Sequence, residues 1–267
     1  MINATTLDDV PSLKAEDIFD LEAAYVEWVD TEAHDDRRGH FHPSAVGMCA
    51  RRGVYEYIKT PREFMHSTNE MEIFRMGHAV HALVQNILSD LERVLTPKGI
   101  KYRFIPEIPY DKNTDTLFLD FGIGGTCDGL LELEGPGWSQ RGVVEIKTSK
   151  SELFNKLREP KPDHQMQANL YAFRFDTPII YYWYYNKDCS ERKVFTRTAD
   201  AAVLSKAIGR FADQRAHVDA GTLPEREESF YMCPRCEYGH VCQPDTLQHI
   251  RNKKALTKVQ SKGFGVR

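Results

Sequence analysis

Apolar positions along the chain change period more than once. Between Asn69 and Leu95, residues Ile73, Met76, Val80, Leu83, Val84, Ile87 and Leu88 recur at three- and four-residue spacings, as on one face of a long helix. Beyond residue 100 the pattern shortens. Tyr102–Ile108, Leu117–Ile123, Asp128–Leu133 and Val143–Thr148 are apolar-rich segments separated by Pro, Gly and Asn, which predicts four strands. Helical spacing returns at Ser151–Leu157 and Asp163–Phe173. A strand pair follows at Ile179–Tyr185 and Arg192–Arg197, then a helix at Ala201–Val218. Upstream, an acidic helical pattern from Leu13 to Ala33 is broken by His40-Phe41-His42-Pro43, and a second helix-like stretch runs from Ser44 to Tyr57. The order helix, strands, helix, strands, helix predicts an α/β fold with a mixed central sheet flanked by helices.

With 267 residues, 41% hydrophobic and 28% charged, the chain can bury one sizeable core. No apolar run approaches the roughly 20 residues that span a bilayer, and the acidic start lacks the basic-then-apolar order of a secretory signal. A cytoplasmic protein without a membrane partner is therefore expected. The net charge of −4 argues against indiscriminate coating of nucleic acid, but the charge is sorted along the chain. Residues 1–36 hold eleven acids against Lys14, whereas residues 251–267 hold six bases and no acid. The expected organisation is an acidic helical segment at 1–42, a core at 43–222, a cysteine segment at 223–250 and a basic tail at 251–267.

The densest chemistry lies in Gly125-Thr-Cys-Asp128-Gly and, after a glycine-rich turn, Val143-Val-Glu145-Ile-Lys147-Thr-Ser. Alternate residues of a strand share a face, so Glu145 and Lys147 project together while Ile146 faces the other way. An E-x-K triplet by itself is common on amphipathic strands. Here it sits among Val143, Val144 and Ile146, downstream of a Gly-x-x-Asp-Gly. Two carboxylates in one site suit a hard cation such as Mg²⁺ or Mn²⁺, and an adjacent ammonium can offset developing negative charge. Asp128, Glu145 and Lys147 are thus the candidate catalytic set.

This set resembles the signature of the PD-(D/E)XK nuclease superfamily, with Cys127 where many members carry proline. Gly77-His-Ala-Val-His81 resembles the G-x-x-x-H element of the RecB-like branch, and Gln167-Ala-Asn-Leu-Tyr171 resembles its Q-x-x-x-Y element. The resemblance implies a restriction-endonuclease-like core. It also implies that His81, Asp128, Glu145 and the Ile146 backbone carbonyl hold Mg²⁺ or Mn²⁺, and that Gln167 and Tyr171 contact the substrate. The activity it implies is an exonuclease acting on single-stranded DNA ends in recombination, repair or processing. Arg51, Arg52 and Lys150 are candidate phosphate contacts, to which Lys156, Arg158 and Lys161 add charge. A structure-selective endonuclease and a noncatalytic DNA-binding assembly protein remain alternatives.

Cys233-Pro-Arg-Cys236 and Cys242 form C-x2-C-x5-C, and six cysteines in an intracellular chain point to metal rather than to disulfides. A closed site needs a fourth ligand, for which the resemblance to the RecB-like branch implies Cys49, and His240 could replace one of the thiolates. Four thiolates suit tetrahedral Zn²⁺ or an iron-sulfur cluster. The order of one early and three late cysteines resembles RecB-like exonucleases, including those of CRISPR adaptation and phage-encoded forms, in which a 4Fe-4S cluster binds a helical cap. That resemblance implies the cluster and a recombination or CRISPR-adaptation protein as partner.

Overall fold

A computed structural model describes residues 20–31, 39–64, 67–229 and 232–242. The basic tail at 251–267 and the start of the acidic segment lie outside the described residues. The elements run α1 (Leu21–Thr31), α2 (Ala50–Tyr57), α3 (Thr68–Asp90), α4 (Glu92–Leu95), β1 (Lys101–Pro109), α5 (Thr116–Phe121), β2 (Thr126–Gly135) and β3 (Trp138–Ser149). They continue with α6 (Ser151–Lys156), α7 (Pro162–Arg174), β4 (Ile179–Asn186), β5 (Arg192–Thr198), α8 (Ala201–Ala220) and α9 (Gly239–Cys242). The α/β expectation holds. One mixed sheet has the order β1-β2-β3-β4-β5, with β3 and β4 parallel and the other neighbours antiparallel.

Local signals set the ends of the elements. Ser67 and Glu70 form a reciprocal capping box at the start of α3, satisfying backbone donors that a helix start leaves open. The segment predicted as a strand at Leu117–Ile123 is instead the helix α5. Asp115 caps it by accepting from Leu117 N–H, and Gly122 ends it with φ 69°. These caps outweigh the short apolar run, which by itself does not separate a strand from a buried helical turn. The stretch predicted as one helix at Ser44–Tyr57 also divides. Pro43–Ala45 forms a single tight turn, and α2 begins only after Cys49.

The sheet is covered on both faces. On one, α3 buries Val80, Val84 and Leu88 against Leu131, Val144 and Ile146. On the other, Phe154, Ala168 and Tyr171 from α6 and α7 pack on Leu130, Val143, Ile180, Tyr182 and Tyr184. The Tyr-rich strand β4 thus divides between two cores, since burial alternates along it. A further cluster joins Met166 and Leu170 of α7 to Ala207 and Phe211 of α8, with Phe41 and Val46. Each such apolar side chain contributes about 1.5–3 kcal/mol on burial, enough to fix α7 firmly over β3.

The region of α2 and the last described segment meet in a clasp. Arg52 bonds Glu237 at 2.9 Å, Glu63 N–H donates to the Glu237 carbonyl at 2.9 Å, and Tyr55 stacks on Tyr238 with ring centroids 5.3 Å apart. Arg51 Nε donates to the Pro224 carbonyl at 2.7 Å, and Glu227 receives Ala50 N–H and Arg210. Cys49 precedes α2 at this clasp, and Cys233, Cys236 and Cys242 lie on its other half.

Candidate active site

The antiparallel pairing of β2 with β3 runs from Gly135–Trp138 to Gly129–Val144. Beyond that point Asp128 uses its side chain in place of the ladder, and Oδ2 accepts Ile146 N–H at 2.7 Å. Strand β3 continues in parallel with β4, pairing Glu145 with Tyr182 and Lys147 with Tyr184. Asp128 and Glu145 are therefore held together where two strand pairings part. From the opposite face of the sheet, His81 of α3 brings Nδ1 to 3.3 Å from Asp128 Oδ1.

Glu145 and Lys147 share a face, as strand spacing predicts, but the site is not shallow. Glu145 is 1% exposed and its Oε1 forms a close, charge-assisted contact with the Lys147 ammonium, while Oε2 has no hydrogen-bond partner. Burial pushes its pKa up to about 7, with the Lys147 charge pulling down and the Asp128 charge pushing up. Lys147 Nζ also donates to Gln167 Oε1 at 3.0 Å. Burial acts to lower the Lys147 pKa, yet the charges of Glu145 and Asp128 hold it above the ordinary value, so it stays ammonium. For His81, burial favours the neutral ring, but the hydrogen bond and charge of Asp128 outweigh it and raise the pKa.

A buried carboxylate met by one ammonium and with Oε2 unpartnered, next to a second carboxylate and an imidazole, is a set of oxygen and nitrogen donors gathered in one place. It fits a hard divalent cation held by oxygen and nitrogen ligands.

The structure places the other expected residues unequally. Gln167 reaches the site as the acceptor that orients Lys147. Tyr171 is 2% exposed, and its hydroxyl donates to the Thr126 carbonyl at 2.8 Å, bracing β2 against α7 rather than facing a substrate. Arg51 and Arg52 belong to the clasp, and Arg52 is held by Glu56 and Glu237. They do not form an open basic groove. Lys150 stands immediately before α6, one residue past the end of β3.

Three residues near the site carry no motif in the sequence. Glu107 of β1 places a carboxylate oxygen with ligand atoms of His81 and Asp128, all within 4.8 Å of one another. Gln85 of α3 donates to Glu107 Oε1 at 2.6 Å and to the Asp128 carbonyl at 3.0 Å. The four-residue step from His81 to Gln85 puts both on one helical face, which is the signal that points to Gln85. Nothing comparable marks Glu107. Its backbone is left-handed, with φ 46°, a conformation that costs a non-glycine residue about 1–3 kcal/mol. A third residue, His164 of α7, has Nδ1 2.7 Å from the Tyr184 hydroxyl, which itself accepts Lys161 N–H at 3.1 Å. Burial, with the Lys147 charge, takes its pKa down to about 4, so the ring is neutral.

At the clasp, burial raises Cys236 to about 11, and Cys49 lies near enough to add to that effect. Among the described residues, the cysteine sulfurs are not gathered into a set within 4.8 Å of one another. A zinc tetrahedron with bonds of about 2.3 Å draws its sulfurs to roughly 3.8 Å.

No family model and no curated protein matches the chain. Among solved structures, the chain is similar to LHK-Exo in complex with dAMP at 16% identity, covering 72% of this chain and 93% of that one, with a TM-score of 0.47. It is similar to SSO0001 at 15% identity, covering 85% of this chain and 98% of that one, with a TM-score of 0.44. A structure of the alkaline exonuclease LHK-Exo from Laribacter hongkongensis matches at 16% identity, over 73% of this chain and 93% of that one, with a TM-score of 0.43. No helix among the described residues is long and apolar enough to cross a membrane.

Proposed function

We propose that the chain is a divalent-metal-dependent deoxyribonuclease that hydrolyses phosphodiester bonds from single-stranded DNA ends. The observation that carries this reading is the buried Glu145, paired through Oε1 with Lys147 and with Oε2 left without a partner, beside Asp128 where two strand pairings part. A buried carboxylate serving the fold alone would have both oxygens satisfied, and leaving Oε2 without a partner costs stability that a folding role does not recover.

Asp128, Glu145, the Ile146 carbonyl and His81 would hold Mg²⁺ or Mn²⁺. Such an ion polarises a phosphoryl oxygen and lowers the pKa of a bound water. Lys147, kept charged by its two carboxylates and aimed by Gln167, places an ammonium where negative charge develops on the phosphate. Asp128 holds its orientation through Ile146 N–H, so the carboxylate is set before substrate arrives. The motifs that resemble the RecB-like branch supply the substrate class, DNA with a free end.

End-labelled linear single strands and covalently closed circles, incubated with Mn²⁺, test the reading. Loss of the linear strand alone is expected. Cutting of circles would make the protein an endonuclease, and no cutting by metal-loaded protein would favour the DNA-binding assembly role.

The cysteine clasp belongs to the same proposal. Cys49, Cys233, Cys236 and Cys242 would hold a 4Fe-4S cluster, the group that the resemblance of the cysteine order implies, with a structural Zn²⁺ as the alternative for the same four thiolates. Elemental analysis of anaerobically purified protein is expected to give about four irons per chain. Cys49→Ser is expected to lose most of that iron and to melt at lower temperature. Stoichiometric zinc without iron would overturn the assignment.

A further inference from the structure

We infer that His164 contacts the DNA strand: its Nε2–H donates to a phosphate beside the scissile one, and Tyr184 holds the ring in the tautomer that presents that proton. The inference rests on the nuclease reading and deepens it by naming a substrate contact outside the metal-binding residues.

Tyr184 is 1% exposed, so its hydroxyl must find partners within the protein. Two groups reach it. Lys161 N–H donates to the oxygen at 3.1 Å, and His164 Nδ1 lies 2.7 Å away. A proton on Nδ1 would give the phenol oxygen two donors and leave the phenol proton buried without an acceptor. With Nδ1 bare, the phenol donates to it and each of these groups is satisfied. Burial and the Lys147 charge keep the ring neutral, so its single proton then sits on Nε2.

Among the described residues, that Nε2–H has no acceptor within hydrogen-bond distance. Asp163 Oδ2 lies 3.7 Å away, beyond reach, and the His164 side chain keeps 17% of its surface open. The open donor is placed for a substrate. His164 precedes Gln167 by three residues, so both lie on the face of α7 that Gln167 turns to Lys147. Tyr184 stands beside Lys147 in the β3–β4 register. Asp128 meets β3 from the β2 side, through Ile146 N–H, and the His164–Tyr184 pair flanks it from the β4 side. Strands β2 and β4 are two strand spacings apart, about 10 Å, which sets His164 beside a neighbouring phosphate rather than the one being hydrolysed. A neutral N–H suits that place. It offers an anionic oxygen a directed, charge-assisted hydrogen bond without adding a second cation that would repel Lys147.

Two measurements test the contact. Long-range ¹H–¹⁵N spectra of histidine-labelled protein are expected to show His164 as the Nε2–H tautomer between about pH 6 and pH 8, and Tyr184→Phe is expected to give a mixture of tautomers. His164→Asn keeps an amide at the Nδ1 position for Tyr184 but has nothing where Nε2 was. Single-turnover digestion with Mn²⁺ at subsaturating protein then compares this variant with wild type on single strands that carry one uncharged methylphosphonate at successive positions. The variant is expected to lose about tenfold on the unmodified strand, the effect of one hydrogen bond to a charged group. At one modified position wild type is expected to lose about as much and the variant nothing further, the coupling that marks a direct contact. His164→Gln, whose amide reaches the Nε2 position, is expected to recover part of the loss. An Nδ1–H tautomer in wild type, or losses from variant and methylphosphonate that add at every position, would overturn the contact and leave the nuclease reading in place. Wild type that digests no single strand would overturn both.

Discussion

Lys147→Ala is expected to lower the rate of single-strand digestion by about 10³-fold while leaving DNA affinity unchanged, the size of effect seen when one preorganised charge-stabilising donor is removed. The expectation follows from what holds Lys147 in place. Its ammonium pairs with Glu145 and donates to Gln167 Oε1, and it emerges from the same strand face as Glu145. No part of that role requires a contact with the remote strand, so binding survives. The substitution also leaves Glu145 buried without its cation, which for an ionised group would cost about 3–5 kcal/mol. Glu145 avoids that cost by keeping its proton to higher pH, or by pairing with a bound divalent ion. Single-turnover rates should therefore be compared at saturating Mn²⁺, with circular dichroism confirming the fold. Retention of full activity would remove Lys147 from the site. Gln167→Leu, which leaves the ammonium present but no longer aimed, is expected to lie between the two.

Much of this arrangement is legible in the sequence because it depends on local spacing. Strand alternation places Glu145 and Lys147 together, and the glycine-rich turn after β2 makes Asp128 a neighbour of Glu145. Helical spacing likewise marks α3 and α7, the two elements that cover β3. What the sequence hides depends on capping, depth and strand ends. Leu117–Ile123 has the length and apolarity of a strand, and only Asp115 and Gly122 turn it into α5. Gln167 and Tyr171 share a helical face, but their depths separate their duties: one meets Lys147, the other braces the Thr126 carbonyl. Arg51 and Arg52 read as a phosphate-binding pair until Glu237 and Pro224, more than 170 residues away in sequence, arrive beside them. Glu107 is invisible for a related reason. A lone glutamate in Pro106-Glu-Ile-Pro109 has no motif, and only the β1–β2 register and the Gln85 hydrogen bond bring it beside Asp128.

The affinity of the DNA-free protein for Mn²⁺ is expected to rise with pH through about 7, where Glu145 gives up its proton, and to level off once His81 is neutral as well, because the cation must displace protons. The sign follows from two raised pKa values. Glu145 keeps its proton until about pH 7 rather than 4.5, because burial penalises the carboxylate more than Lys147 favours it. His81 keeps its proton above the usual 6.5, because the hydrogen bond and charge of Asp128 outweigh burial. A cation bound by both groups releases both protons, so the slope approaches two powers of ten per pH unit below these values and vanishes above them. His164, held down to about 4, is already neutral in this window and adds nothing to the slope. Glu145→Gln removes one of the two protons and should halve the slope, although the remaining affinity falls. The same linkage sets the stability of the metal-free protein. A raised carboxyl pKa contributes fully below 4.5 and is lost as pH rises through about 7, so ionising Glu145 without a cation loosens the fold. The increase in Tm on adding Mn²⁺ should therefore grow from about pH 6 to pH 8. A Tm increment and a Kd that stay constant over that range would show that neither Glu145 nor His81 gives up a proton to the ion, and would take both out of the ligand set.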